Sequence, residues 1–133
     1  MNGTWLDTFQ GIIPRHDYTV RLSAGEEKGL IVLLESENTS VTITFGAVSA
    51  FQMLDEGVLL QGEESEQFAA IRKQNFPSTI YQVKNADFGR FIQVQMGAEL
   101  YAALQLQQYN IITYNYVISV ASPWEPEITV TQK

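Results

Sequence analysis

SVTITFGAVSAFQMLDEGVLLQ, residues 40–61, carries the plainest strand signal in the chain. Val41, Ile43 and Phe45 alternate with Thr42 and Thr44. Successive side chains of a strand point to opposite faces, so the three apolar residues turn to a core and the threonines away from it. Gly46 interrupts the alternation and predicts a bulge or bend. Beyond it, Ala47, Ser49, Phe51 and Met53 share one face, and Val48, Ala50, Gln52 and Leu54 the other. With little polarity on either face, this run predicts a central strand covered on both sides. Asp55-Glu56-Gly57 predicts the turn that ends it.

Working outward, Tyr18 to Leu22 alternates, and LIVLLE (residues 30–35) reads as a buried strand. Two glycines (Gly25, Gly29) and the polar run Glu37-Asn38-Thr39-Ser40 supply the turns, so the first half predicts an antiparallel meander. Residues 1–16 carry Trp5, Phe9, Ile12 and Ile13 ahead of Pro14. They read either as an amphipathic helix or as an extended segment laid over the core. On the other side, residues 62–73 read as a short helix or a loop, with Ser65 as a candidate cap and basic Arg72 and Lys73 at the end. Thr79 to Val83 predicts a short strand.

Phe88, Phe91, Ile92 and Met96 recur at helical spacing behind Asn85, which predicts a helix over 85–96 capped by Asn85. Gly89 counts against it, and a strand through Ile92, Val94 and Met96 is the competing reading. Further helical turns follow over 98–106. NIITYNYVISVA (residues 110–121), rich in β-branched and aromatic residues, predicts a second strong strand that ends at Ser122-Pro123. Ile128 and Val130 predict a short edge strand. Together these readings predict one α+β domain over residues 1–133: a mostly antiparallel sheet of about five to seven strands with one or two packed helices.

Composition narrows the function. The 133 residues contain no cysteine, which excludes disulfides, thiolate metal sites and a cysteine nucleophile. A net charge of −7 argues against nucleic acid as partner. The amino-terminal stretch has no basic, then apolar, leader pattern, and no apolar run nears the ~20 residues a membrane helix needs, so the expectation is cytoplasmic with no membrane contact. His16, followed by Asp17, is the single histidine. A serine-histidine-aspartate arrangement would have to use it, yet no G-x-S-x-G turn is present. No phosphate-binding glycine loop or calcium-loop spacing occurs either, so the expectation is no enzyme, no cofactor and no metal.

Two features read as surfaces for a partner. Asp55, Glu56, Glu63, Glu64 and Glu66 form a dense acidic set that would steer a basic protein. Tyr114, Tyr116 and Trp124 lie in the aromatic last third, and tyrosine and tryptophan are enriched where proteins bind one another. Against these stand a solvated acidic face and aromatics that simply pack the core.

VTITFGAVSAFQMLDEG (residues 41–57), IYQVKNADFGRF (80–91) and YNIITYNYVISVASPWEPEI (109–128) resemble a family of small uncharacterised bacterial proteins. The resemblance covers about the last two-thirds of the chain and rests on strand and cap patterns. Phe91 stands where that family often has tryptophan, and Asn115-Tyr116-Val117 stands where Asn-Asp-Val is usual. Some such proteins resemble toxin-immunity proteins. The resemblance therefore implies a protein-binding module that occludes a basic, toxin-like partner. A homodimeric structural domain and a small-ligand-binding protein are the alternatives.

Overall fold

The computed structural model describes residues 3–55 and 66–133. Nine strands and three helices occur among them, in the order β1 (Thr4–Leu6), β2 (Thr19–Ser23), β3 (Leu30–Glu35), β4 (Thr39–Gly46), β5 (Ala50–Asp55), α1 (Glu66–Lys73), β6 (Ile80–Lys84), α2 (Asp87–Met96), α3 (Ala98–Leu104), β7 (Gln107–Ile112), β8 (Tyr116–Ser122) and β9 (Glu127–Gln132). The class is α+β as the sequence predicts, but the strands exceed the expected five to seven and divide into two antiparallel sheets. One has the order β1-β6-β7-β8-β5 and the other β2-β3-β4-β9.

The meander forms as the alternation dictates. Val41 and Ile43 lie opposite Leu34 and Val32 on β3 and opposite Val130 and Ile128 on β9. Their shared face packs onto Tyr109, Ile111, Ile118 and Val120 of the other sheet, making the main core. The predicted bulge lies at Gly46, where the β3–β4 register shifts between Leu30 and Ile31. Gly29 and Gly46 both have positive φ, and a Cβ on Gly29 would lie 2.0 Å from the Gly46 carbonyl carbon. Only glycine at position 29 allows this approach.

Two strand expectations need correction. The run behind Gly46 forms β5, an edge strand rather than a central one, with Phe51 39% and Met53 37% exposed. A two-faced apolar run is ambiguous because it also suits an edge that the smaller opposite sheet leaves partly uncovered. The stretch 110–121 is not one strand but the β7–β8 hairpin. Its turn uses no glycine: the Thr113 N–H donates to the Tyr116 carbonyl at 2.9 Å, and the Thr113 hydroxyl accepts from the Tyr116 N–H at 3.1 Å. Of the two readings of the opening segment, the helix does not form: β1 leads into turns over residues 8–12, with Trp5, Phe9 and Ile13 buried. The turn expected at Asp55-Glu56-Gly57 and the Ser65 cap lie outside the described residues.

The helices cover the outer face of the five-stranded sheet. α2 turns Ile92 inward, with Phe88 and Met96 half-buried against the same cluster as Ala121, while Phe91 stays outside. Its cap is not Asn85. Ala86 occupies that position without a side-chain cap, and Asn85 lies one residue earlier in the left-handed region at φ 59°. The buried Gln108 of β7 does the work instead: its Oε1 accepts from the Gly89 N–H at 3.0 Å, and its Nε2 donates to Asn110 Oδ1 at 3.0 Å. Gly89 is what permits this approach, since a Cβ there would sit 3.1 Å from that oxygen.

Candidate functional site

The first site residue follows from how α1 ends. Lys73 closes the helix, and Asn75 and Phe76 both adopt left-handed backbone at φ 59° and 49°. The Phe76 N–H donates to the Ile71 carbonyl at 3.0 Å and the Asn75 N–H to the Arg72 carbonyl at 2.9 Å. This is the Schellman pattern, with Pro77 just beyond it. Asparagine tolerates the left-handed region. Phenylalanine pays about 1–2 kcal/mol there and recovers it by packing, with Ile71, against the cluster of Trp5, Tyr81, Val83 and Ala86.

Arg15 secures the turn from the other end of the chain. Its Nε donates to the Phe76 carbonyl at 2.8 Å and, more weakly, to that of Asn75 at 3.2 Å. Nη2 donates to the Asn75 carbonyl and Nη1 to the His16 carbonyl, each at 2.7 Å. These carbonyls lie just beyond the helix, and a cation at the C-terminal end of a helix complements its dipole. Asp17 lies 3.5 Å from Nη1 in an exposed ion pair. Tyr18 packs edge-on to the His16 ring and donates its hydroxyl to the Pro14 carbonyl at 2.6 Å. Burial raises the Tyr18 pKa, against the opposing pull of Arg15.

The β7–β8 hairpin tip closes the third side. The Tyr114 N–H donates to the Tyr18 carbonyl at 2.8 Å, and the Ile112 N–H to the Thr79 carbonyl at 2.8 Å. Between residues 15–17, the end of α1, the start of β6 and this hairpin lies a cavity of about 240 Å³. Phe76, Ile112 and Val117 give it an apolar lining. Arg15, His16 and Arg72 bring positive or protonatable groups, and Tyr114 and Tyr116 stand at it, 60% and 37% exposed.

Among the expected contact residues, the structure brings Asp55, Tyr114 and Tyr116 together, because Asp55 pairs directly opposite Tyr116. Trp124 does not join them. It follows the far end of β8, roughly 20 Å of strand away, where its indole N–H donates to the Ala47 carbonyl at 2.9 Å. Glu56, Glu63 and Glu64 lie outside the described residues, and Glu66 is the first residue of α1. Among the described residues, no three His, Asp or Glu side chains gather as a metal site, and no helix is long and apolar enough to cross a membrane. His16 lines the cavity, but Ser78 donates its hydroxyl to Asp7 at 2.6 Å.

Sequence reasoning missed Arg15, Arg72, Asn75 and Phe76 as site residues. Asn-Phe-Pro after a helix ending in basic residues does signal a left-handed cap. Nothing in the sequence signals that Arg15 reaches it. Comparison with known proteins gives no match to a family model, a curated protein or a solved structure.

Proposed function

We propose that this protein is a binding module that docks a partner protein at the cavity end of its sheets. The observation that carries the reading is the pair of exposed tyrosines, Tyr114 and Tyr116, set beside a cavity that can take one group of the partner. Tyrosines on a short hairpin supply contact area at little cost in side-chain freedom, and a pocket beside them suits an anchoring group. The hairpin is held to residue 18 by a backbone hydrogen bond, so the surface is preorganised. An immunity-type role, in which the docked partner's own active surface is occluded, is the concrete form implied by the family resemblance.

The test is comparative capture from lysate with the wild-type protein and with Tyr114→Ala/Tyr116→Ala, read by mass spectrometry. A partner retained by the first and lost from the second, at unchanged thermal midpoint, supports the reading. Identical captured sets sink it.

A second reading, a homodimer, is favoured by a separate observation. Phe91, Val94, Leu100 and Leu104 stand exposed on α2 and α3. Glu99 is the one charged residue between Phe91 and Trp124, in a chain of net charge −7. Two like-charged copies would meet with least repulsion across such a neutral face. Sedimentation of the wild type and of Val94→Glu decides it: a dimer that becomes a monomer supports self-association, and a wild-type monomer at high concentration ends it.

A further inference from the structure

The outermost strands of an open sheet present unpaired backbone N–H and C=O groups, and folded proteins ordinarily blunt such edges. Among the described residues the two sheets end on β1, β5, β2 and β9. β1 is only three residues long. β2 carries the exposed Arg21 at its middle. β9 turns Glu127, Thr129 and Thr131 to solvent, so covering it gains little. β5 differs: Ala50 to Leu54 hold no charge and no proline, and Phe51 and Met53 both stand exposed. Among the described residues nothing pairs with its free side.

The neighbouring hairpin fixes which groups that edge presents. The Thr113 N–H donates to the Tyr116 carbonyl. Antiparallel ladders alternate, so residues 117, 119 and 121 of β8 turn their backbone groups toward β5. Their partners there are Leu54, Gln52 and Ala50. The N–H and C=O of Phe51 and Met53 therefore point out of the open edge.

A second β5 laid antiparallel, with Phe51 opposite Met53 of the other copy, lets these two residues exchange backbone hydrogen bonds on both sides of a two-fold axis. The register sets the Met53 thioether beside the Phe51 ring, a favourable contact. It also sets Ala50 against Leu54, small against large, and Gln52 against Gln52 on the axis, where the two amides can bond each other. The two Asp55 residues fall at opposite ends, six residues or roughly 20 Å of strand apart, well past the screening length of about 8 Å. Sliding by two residues sets Phe51 opposite Asp55, or Met53 opposite Ser49, whose N–H already donates to the Ala121 carbonyl. The edge is thus complementary to itself in one register.

We propose that β5 is a self-association edge, through which two copies pair about an axis at Gln52 and join their five-stranded sheets into one. The inference is independent of the docking reading and places self-association on a different surface from the α2–α3 face. A contact one strand long makes the dimer a weak one that forms at high concentration.

The chain has no cysteine, so single cysteines on the edge report the register by disulfide formation. Residues opposed at a non-hydrogen-bonded position lie about 4.5 Å apart at Cα, within a disulfide's reach. Gln52→Cys should therefore give a covalent dimer under mild oxidation of the full chain. Phe51→Cys and Met53→Cys should each stay monomeric, about 7–8 Å from their own copies, while a mixture of the two cross-links. Met53→Lys should keep the wild-type thermal midpoint and weaken association in sedimentation by about tenfold or more. Val94→Cys serves as the control for the helical face. Cross-linking by Val94→Cys but not by Gln52→Cys overturns the proposal in favour of that face. A wild type that stays monomeric to about 1 mM, or Phe51→Cys alone cross-linking as readily as the mixture, overturns it as well. So does a monomeric protein that loses a captured partner on Met53→Lys, which would show that the edge takes a foreign strand. The docking reading stands or falls separately, on Tyr114 and Tyr116.

Discussion

Replacing Gln108 by methionine keeps the length of the side chain and removes both of its polar functions. In the native protein Gln108 Oε1 accepts from the buried Gly89 N–H, and Nε2 donates to Asn110 Oδ1. The variant leaves the Gly89 N–H without that acceptor, at about 1–3 kcal/mol, and removes one further hydrogen bond worth about 1 kcal/mol. Burying a thioether in place of an amide returns about 1 kcal/mol. The net loss is about 2 kcal/mol, a substantial share of the 5–15 kcal/mol that ordinarily holds a domain together. With a urea dependence near 2 kcal/mol per molar, the unfolding midpoint should fall by about 1 M at unchanged slope. Gln107→Met is the control, since Gln107 is half-buried and bonds Gln82 between neighbouring strands. A Gln108→Met midpoint within about 0.2 M of wild type would show that α2 does not depend on a cap supplied from β7.

Gly29→Ala should leave no soluble folded protein. The new Cβ would meet the Gly46 carbonyl at 2.0 Å in a backbone conformation that alanine resists, and circular dichroism of the expressed chain is the check. Asn75→Gly should raise the thermal midpoint, with a gain of up to about 1 kcal/mol, because glycine adopts the left-handed position after α1 without strain. Burial lifts the pKa of Tyr18, Tyr81, Tyr101 and Tyr109 above the ordinary 10.0. These groups ionise more easily in the unfolded chain, so their contribution is complete below pH 10.0 and is lost as pH rises through the raised values. Urea midpoints measured between pH 9 and 11 should therefore decline, and a midpoint that is flat or rising there contradicts the assignment.

The meander of β2, β3 and β4 was legible because the two faces of each strand differ in burial, buried against half-exposed in β3 and β4 and half-buried against exposed in β2, which is what alternation encodes. α2 was legible for the same kind of reason: Phe88, Ile92 and Met96 follow its period, and the objection from Gly89 dissolves once Gln108 is seen to need that space. β5 misled because Ala50, Gln52 and Leu54 are half-buried under the helical face while Phe51 and Met53 reach past the edge of the opposite sheet. The β7–β8 turn was hidden because a threonine hydroxyl closes it, so no glycine or proline punctuates the run. The candidate site was the least legible part. Asp55, Tyr114 and Tyr116 could be named one by one, but the cavity is assembled from segments sixty to a hundred residues apart, and Arg15 acts on backbone carbonyls that carry no side-chain signature.

The last strand of the four-stranded sheet carries a consequence for how the chain is made. Thr44 of β4 pairs with Glu127 of β9, 127 − 44 = 83 residues later. At roughly 5–20 residues per second, a ribosome needs roughly 4–17 s to cover that distance. Throughout that interval the hydrogen-bonding edge of β4 is exposed on the nascent chain with β9 not yet synthesised, and open edges of this kind recruit strands from neighbouring chains. Ser40, Thr42 and Thr44 line the outward face of that edge, where valine or isoleucine would propagate a strand equally well. Their hydroxyls keep that face polar, so no continuous apolar strip accompanies the open edge while β9 is still to be made.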